Sequence, residues 1–399
     1  MSSPFRSFWM GGFESACHIN GAGQRLDMIC ATQHDVRADE DYALLRSVGI
    51  RTAREGLRWH LIDRGRGQYD FSSARPVVDA AERRGIQVVW NLCHYGWPDD
   101  VNLFEPAFIR RFARYAAATA RLVRDSSDDV PIYSPINEIS FFAWAAGEVG
   151  YIYPHVHGAG GRVKQQLVRA AIEGMDAIRA VDERARFVHA DPLIHVLAPY
   201  GRPDLARAAA DYREAQFEAW DMLAGGMHPE LGGHPRYLDI VGANFYSGNQ
   251  WVIGGERLHW DVRPQHPRWR PLSAQLQDLH ERYGRPIIVA ETSHFGSGRA
   301  AWLHDVAGEV SRTLELGVAI DGVCLYPIID RPDWDDPNHW HNSGLWGLVP
   351  DHEGRLRRVL CDEYAAALRQ HVQPDERTLY ASSATASASA AGVSAASAT

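Results

Sequence analysis

The chain has 399 residues, 45% of them hydrophobic and 23% charged, which is ample material for one large globular core or two ordinary ones. A net charge of -9 argues against nucleic acid or an anionic membrane as a partner, because both attract basic surfaces. The N-terminus has no basic region followed by a long apolar run, and no stretch reaches membrane-spanning length, so the expectation is a cytoplasmic protein. The five cysteines are scattered without Cys-x-x-Cys spacing, which suits reduced thiols better than disulfides or structural zinc. Thirteen Trp and fifteen Tyr lean weakly towards a carbohydrate partner, since sugar clefts use rings as stacking faces.

Taken in chain order, short apolar runs alternate with longer amphipathic stretches eight times. The predicted strands cover 8–15, 50–55, 86–93, 130–138, 186–191, 238–246, 286–292 and 322–328. The predicted helices cover 39–48, 73–84, 106–124, 164–181, 205–223, 273–283, 300–316 and 362–371. Gly49, Gly85 and Gly284 each close a helix just before a strand, the junction expected of a parallel sheet. Eight such units predict an α/β fold, a (βα)8 TIM barrel forming a single domain over residues 1–375. A doubly wound open sheet is the other arrangement with this alternation. Polar and aromatic residues at nearly all eight strand ends favour the barrel, which gathers those ends into one site. The segment from Gly296 to Gly298 matches a dinucleotide fingerprint only loosely and reads as a loop, because no acidic residue closes a following short strand. Residues 376–399 are almost wholly Ala and Ser, a tail expected to be disordered.

The strand ends carry the candidate chemistry. The apolar run Pro131-Ile132-Tyr133-Ser134-Pro135-Ile136 ends at Asn137-Glu138, and the aromatic residues Phe141, Phe142 and Trp144 follow. A second run from Pro286 to Ala290 ends at Glu291. In a parallel barrel these two carboxylates face each other across the mouth. One half-shielded by apolar neighbours has its charged form disfavoured and can hold a proton near neutrality, as a general acid must. The other strand ends supply His18, Arg54, His94, Asp191, Asn244, Tyr246 and Tyr326, with the loop from Asp330 to Trp346.

Six segments in order resemble family 1 glycoside hydrolases, the β-glucosidase-like retaining enzymes within the clan of (βα)8 glycosidases with catalytic Glu on strands four and seven. Ala53-Arg54 through Trp59 is similar to the family's Tyr-Arg-x-Ser-x-x-Trp, and His94-Tyr95-Gly96-Trp97-Pro98 to its His-Trp-Asp-Leu-Pro. Asn137-Glu138 falls on Asn-Glu-Pro, Asn244-Phe245-Tyr246 on Asn-Tyr-Tyr, Ala290-Glu291-Thr292 on Thr-Glu-Asn, and Asp330 through Trp334 on Asp-Asn-Phe-Glu-Trp. The resemblance covers most of residues 8–372 and implies Glu138 as general acid/base and Glu291 as nucleophile. It also implies Arg54 and Tyr246 as donors to Glu291, Asn137 as a contact to the sugar 2-hydroxyl, and Asn244 as a supporting residue. His18, His94, Trp144, Tyr326, Asp333 and Trp334 become the substrate-binding set, with no cofactor and no metal. Three departures alter the sugar-recognition set: His18 stands where the family has Gln, Tyr326-Pro327 where it has Trp-Ser, and Asp333 where it has Glu.

Metal-dependent hydrolysis is a competing class, since there are nineteen His and two His-x-His pairs, His155/His157 and His339/His341. Both pairs fall in long loops, not on strand ends. Lys164, the only lysine, begins a helix outside the barrel mouth, which disfavours Schiff-base chemistry. A catalytically inactive sugar-binding protein on a glycosidase scaffold and a transglycosylase are the other readings compatible with the residues. Both glutamates are present, which favours the enzyme.

Overall fold

The computed structural model of the chain describes residues 3–372. The expected Ala/Ser tail at 376–399 lies outside the described residues. Eight strands form the barrel: β1 (Trp9–Gly12), β2 (Thr52–Gly56), β3 (Gln87–Asn91), β4 (Ile132–Ser134), β5 (Arg186–Pro192), β6 (Ile240–Asn244), β7 (Ile287–Thr292) and β8 (Ile320–Leu325). Each pairs in parallel with its neighbours in sequence, and β1 pairs with β8 through Trp9 opposite Val323, which closes the ring. The long helices Pro106–Ser126, Gly160–Arg179 and Arg299–Glu315 are among those that wrap the outside. Gly85 and Gly284 end two helices in the left-handed region, at φ 61° and 57°, where a Cβ would be strained.

Two departures from the sequence expectation have local causes. The fourth strand is much shorter than 130–138 because Pro135 offers no N–H to the ladder and the chain turns out of the sheet. The helix expected over 205–223 is two, Ala206–Glu214 and Glu218–Ala224. Between them Gln216 turns its side chain away, accepting from Ile194 N at 2.9 Å and donating to Arg213 O at 2.6 Å.

Strand side chains alternate between two cores. Met10, Val89, Ile132, Val188, Ile240 and Ile288 fill the barrel interior, and a larger cluster packs the other strand faces against the helices. On β2 this alternation splits two adjacent charges: Arg54 enters the barrel, while Glu55 joins the outer layer and accepts from Tyr42 Oη at 2.7 Å. His34 lies 3.1 Å from Glu55 through Nε2 and 2.8 Å from Asp41 through Nδ1, with its ring stacked on Phe13 at 3.8 Å. Arg358, from a hairpin of Trp346–Pro350 and Leu356–Leu360, completes this buried network by donating to Asp41 at 2.6 Å and 2.8 Å. No helix among the described residues is long and apolar enough to cross a membrane.

Candidate active site

The turn after Pro135 delivers Asn137 and Glu138 to the C-terminal rim. Their backbone N–H groups are held by the neighbouring strands, Asn137 N donating to Cys93 O at 3.0 Å and Glu138 N to Ala190 O at 2.9 Å. Glu138 sits at φ 45°, an uncommon conformation for a residue with a Cβ, and opens the short helix Ile139–Ala143. Asp191, at the end of β5, accepts from Ser140 N at 3.0 Å and so fixes that helix against the barrel. Burial lifts the Asp191 carboxyl up to about 7.

The two carboxylates have opposite surroundings. Glu138 accepts from Asn244 Nδ2 at 2.8 Å on Oε1 and from the Tyr95 hydroxyl on Oε2, and no cation pairs with it among the described residues. Burial and then the facing charge of Glu291 push its carboxyl up to about 8, against the two hydrogen bonds. Glu291 instead accepts from Arg54 Nη1 at 2.9 Å on Oε1 and from Tyr246 Oη at 2.9 Å on Oε2. Arg54 forks: Nη2 donates to Asn137 Oδ1 at 2.9 Å, so one buried guanidinium ties the end of β7 to the residue beside Glu138. Lysine could not make this planar fork.

Asn137 is engaged on both faces of its amide, with Nδ2 donating to Tyr95 Oη at 3.0 Å and lying 3.2 Å from His94 Nε2. Burial and the charge of Arg54 hold His94 well below the ordinary imidazole range, so its ring is neutral. Its Nδ1 lies 2.9 Å from both Ser15 Oγ and Asn91 Nδ2, so the ring is fixed in place by side chains at both nitrogens.

His18 and Trp334 meet edge to face with ring centroids 4.7 Å apart. Both His18 nitrogens and Trp334 Nε1 are buried and have no hydrogen-bond partner. Burial lowers His18 to about 3, so it too is neutral. Asp333 is occupied locally, accepting from Asp335 N at 2.8 Å and lying 2.9 Å from His341 Nε2. Tyr326 is wedged inside the barrel under the Arg54 guanidinium, which lies 5.3 Å over its ring. Gly12 on β1 makes room for it, as a Cβ there would stand 2.3 Å from Tyr326 Cδ2. Trp144, 40% exposed, is the outermost of the expected set, 5.8 Å from Phe141 between ring centroids.

Two buried residues of the site, Tyr95 and Glu14, were not among the site residues expected from sequence. Tyr95 bonds Glu138 directly. Glu14 accepts from Ser15 N and Ala16 N, each at 3.0 Å, and pairs with Arg331 at 3.0 Å. Burial raises the Glu14 carboxyl, with Arg331 opposing. Only for Tyr95 was a signal present, as it stands where the resembling segment carries Trp. Glu14 lies inside the expected first strand and is brought in by the early end of β1.

Loops from several strands tie together above this cluster. Asn20 donates to Trp334 O at 3.1 Å, Tyr153 N to Ile19 O at 2.9 Å, and Tyr151 Oη to Asp335 Oδ2 at 2.9 Å. Glu138 and Glu291 are consequently only 8% and 4% exposed. Neither of two surface cavities, one lined by His195, Arg213 and Gln275 and one by Arg37, Asp39 and Arg355, includes a residue of the cluster. Among the described residues no group of three or more His, Cys, Asp or Glu could hold a metal ion.

No family model matches the sequence. No curated protein matches it in sequence either. Solved structures do match in fold. A β-glucosidase from Thermotoga maritima in complex with glucoimidazole superposes with a TM-score of 0.74 at 14% identity, covering 92% of this chain and 98% of that one. The family 1 β-glucosidase from the same organism gives a TM-score of 0.73 at 14% identity over 92% and 98%. The β-glucosidase in complex with castanospermine gives 0.73 at 16% identity over 91% and 96%. The chain thus has the closed eight-stranded barrel of the family 1 β-glucosidases.

Proposed function

We propose that the protein is a retaining β-glycosidase that hydrolyses O-glycosidic bonds by double displacement, with Glu138 as general acid/base and Glu291 as nucleophile. The observation that carries this is the contrast between the two carboxyls. Glu138 is buried among neutral donors and holds a proton near neutrality, whereas Glu291 is paired with Arg54. A retaining glycosidase needs this division of roles, one carboxyl to protonate the leaving oxygen and one carboxylate to attack the anomeric carbon. The fold shared with β-glucosidases supports the same reading.

In the first step Glu138 gives its proton to the glycosidic oxygen as the C1–O bond breaks, and Glu291 bonds to C1. Esterification removes the charge facing Glu138, so its carboxyl falls and it becomes the base that takes a proton from water in the second step. Arg54 and Tyr246 hold the Glu291 oxygens in place throughout. The unpartnered nitrogens of His18 and Trp334 supply donor and acceptor positions for sugar hydroxyls. With His18 for Gln and Asp333 engaged by His341, the sugar-binding set differs from that of a standard β-glucosidase, and the preferred substrate is a β-glycoside of a sugar other than glucose. We assign the protein to the cytoplasm, acting on carbohydrate without a cofactor. The test is a screen of purified protein against nitrophenyl glycosides, with Glu138→Gln as control. Release of nitrophenol by wild type from any one of them, lost in the control, is the expected result; turnover equal in both would reject the assignment.

A further inference from the structure

We propose that Tyr95 is a positioning residue that directs the acid proton of Glu138 outward to the substrate; this rests on the glycosidase reading above. The phenol donates to Glu138 Oε2, and its oxygen already accepts from Asn137 Nδ2 at 3.0 Å. The other carboxyl oxygen accepts from Asn244 Nδ2 at 2.8 Å, and an amide NH2 can only donate. Among the described residues, both partners of the Glu138 carboxyl therefore offer protons to it. While both of these donations persist, neither partner takes the proton of the neutral carboxyl, and it is left for the glycosidic oxygen of a bound substrate. As that proton transfers, the C1–O electron pair leaves with the aglycone, Glu291 forms the new bond to C1, and Glu138 becomes a carboxylate still held by the same two donors. Tyr95 keeps its own proton, because burial and the Glu138 charge hold the phenol well above its ordinary range.

The local structure is built to hold this contact. Tyr95 is 1% exposed and sits at φ 66°, so the two hydrogen-bonded residues are both in left-handed backbone conformations. Its ring is boxed by His94 at 4.6 Å, Phe141 at 5.4 Å, Phe142 at 5.5 Å and Trp334 at 5.8 Å between centroids. The resembling segment has Trp at this position, which has no hydroxyl to place there. The titratable groups facing the Glu138 carboxyl are Tyr95, Glu291 on β7, Asp191 on β5 and Tyr246.

The experiment compares wild type with Tyr95→Phe on aryl glycosides whose leaving groups range from dinitrophenol to unactivated phenol, across pH. Removing the phenol should lower kcat/KM for the unactivated leaving group by roughly 10- to 100-fold and change it by less than about threefold for dinitrophenol, since only the former needs full proton donation. The alkaline limb should also move upward, because a donor to the ionised form is gone. Equal loss on both leaving groups with an unmoved pH limb, or no loss at all, would overturn the role. Should the phenylalanine variant not fold, Tyr95→Trp fills the aromatic box without the hydroxyl and is read the same way. If wild type itself cleaves no aryl glycoside, the glycosidase reading fails, an outcome distinct from a wild type that cleaves while the variant keeps its leaving-group dependence.

Discussion

Arg54 Nη1 lies 2.9 Å from Glu291 Oε1, in a barrel interior where the arginine is 1% exposed and the glutamate 4%. A charge pair this deeply buried is costly to assemble and costlier to break, because either partner left alone is an uncompensated ion. Its presence at the strand-end rim, with the same guanidinium reaching Asn137, marks a place where fixed geometry matters more than stability.

Arg54→Lys should therefore keep the charge and lose the fork. We expect kcat to fall about 100-fold through misplacement of Glu291 and Asn137, with the fold retained. Arg54→Ala should in addition destabilise the protein by about 3–5 kcal/mol. Urea denaturation and steady-state kinetics on the two variants separate these effects; a lysine variant with wild-type kcat would show that the fork is dispensable.

The environment of Glu138 sets a pH prediction. Its acid form is the active one for the first step, and burial with the Glu291 charge lifts the carboxyl up to about 8. The kcat/KM of wild type should accordingly be lost as pH rises through about 8, and Glu138→Gln, followed on a dinitrophenyl glycoside whose leaving group needs no proton, should lack that limb. An alkaline limb that persists in the glutamine variant would belong to another group.

How much of this was legible in the sequence differs from feature to feature. Alternation of apolar runs and amphipathic stretches gave eight strands within a few residues of their observed ends, because strand and helix periods are local properties. Helix 362–371 agrees at both ends with the observed Asp362–His371. The shortening of β4 was readable in principle from Pro135, whereas the break after Glu214 depends on Gln216 meeting Ile194, a contact no local pattern encodes. The same limit applies to the site. Glu138 and Glu291 stand out as strand-end carboxylates, but Tyr95 gains its meaning only when β3 and β4 bring its hydroxyl to Glu138. Glu14 likewise becomes a buried carboxylate only through Arg331, more than three hundred residues away.

The outer-layer network around His34 carries a stability prediction. Burial opposes the imidazolium, yet Glu55 and Asp41 outweigh it and raise His34 from 6.5 to about 9. The folded state thus binds this proton more tightly than the unfolded one. Its contribution is complete below about 6.5 and is lost as pH rises through about 9. Wild type should lose on the order of 3 kcal/mol between pH 6 and pH 10 from this group, and His34→Gln should flatten that part of the curve. Identical pH dependence in both proteins, followed by urea denaturation, would place the charge elsewhere.

Metal removal should have no effect on turnover, since acid and nucleophile both come from the chain. Prolonged EDTA treatment is expected to leave hydrolysis of the best nitrophenyl glycoside unchanged. Activity that disappears and returns with zinc or manganese would contradict the paired-glutamate mechanism.

The division of labour between Glu138 and Glu291 is tested most directly by the configuration of azide adducts. Glu291→Gly removes the nucleophile and leaves space for azide on the face opposite the leaving group, so an activated aryl glycoside should give a glycosyl azide of inverted configuration by a single displacement. Glu138→Ala leaves the first step open to good leaving groups and slows the second, so azide should intercept the glycosyl-enzyme and give retained configuration. Proton NMR of the two adducts reads the outcome. Inversion from Glu291→Gly with retention from Glu138→Ala is the predicted result; exchanged configurations would reverse the roles, and undiminished turnover in either variant would remove that residue from the mechanism.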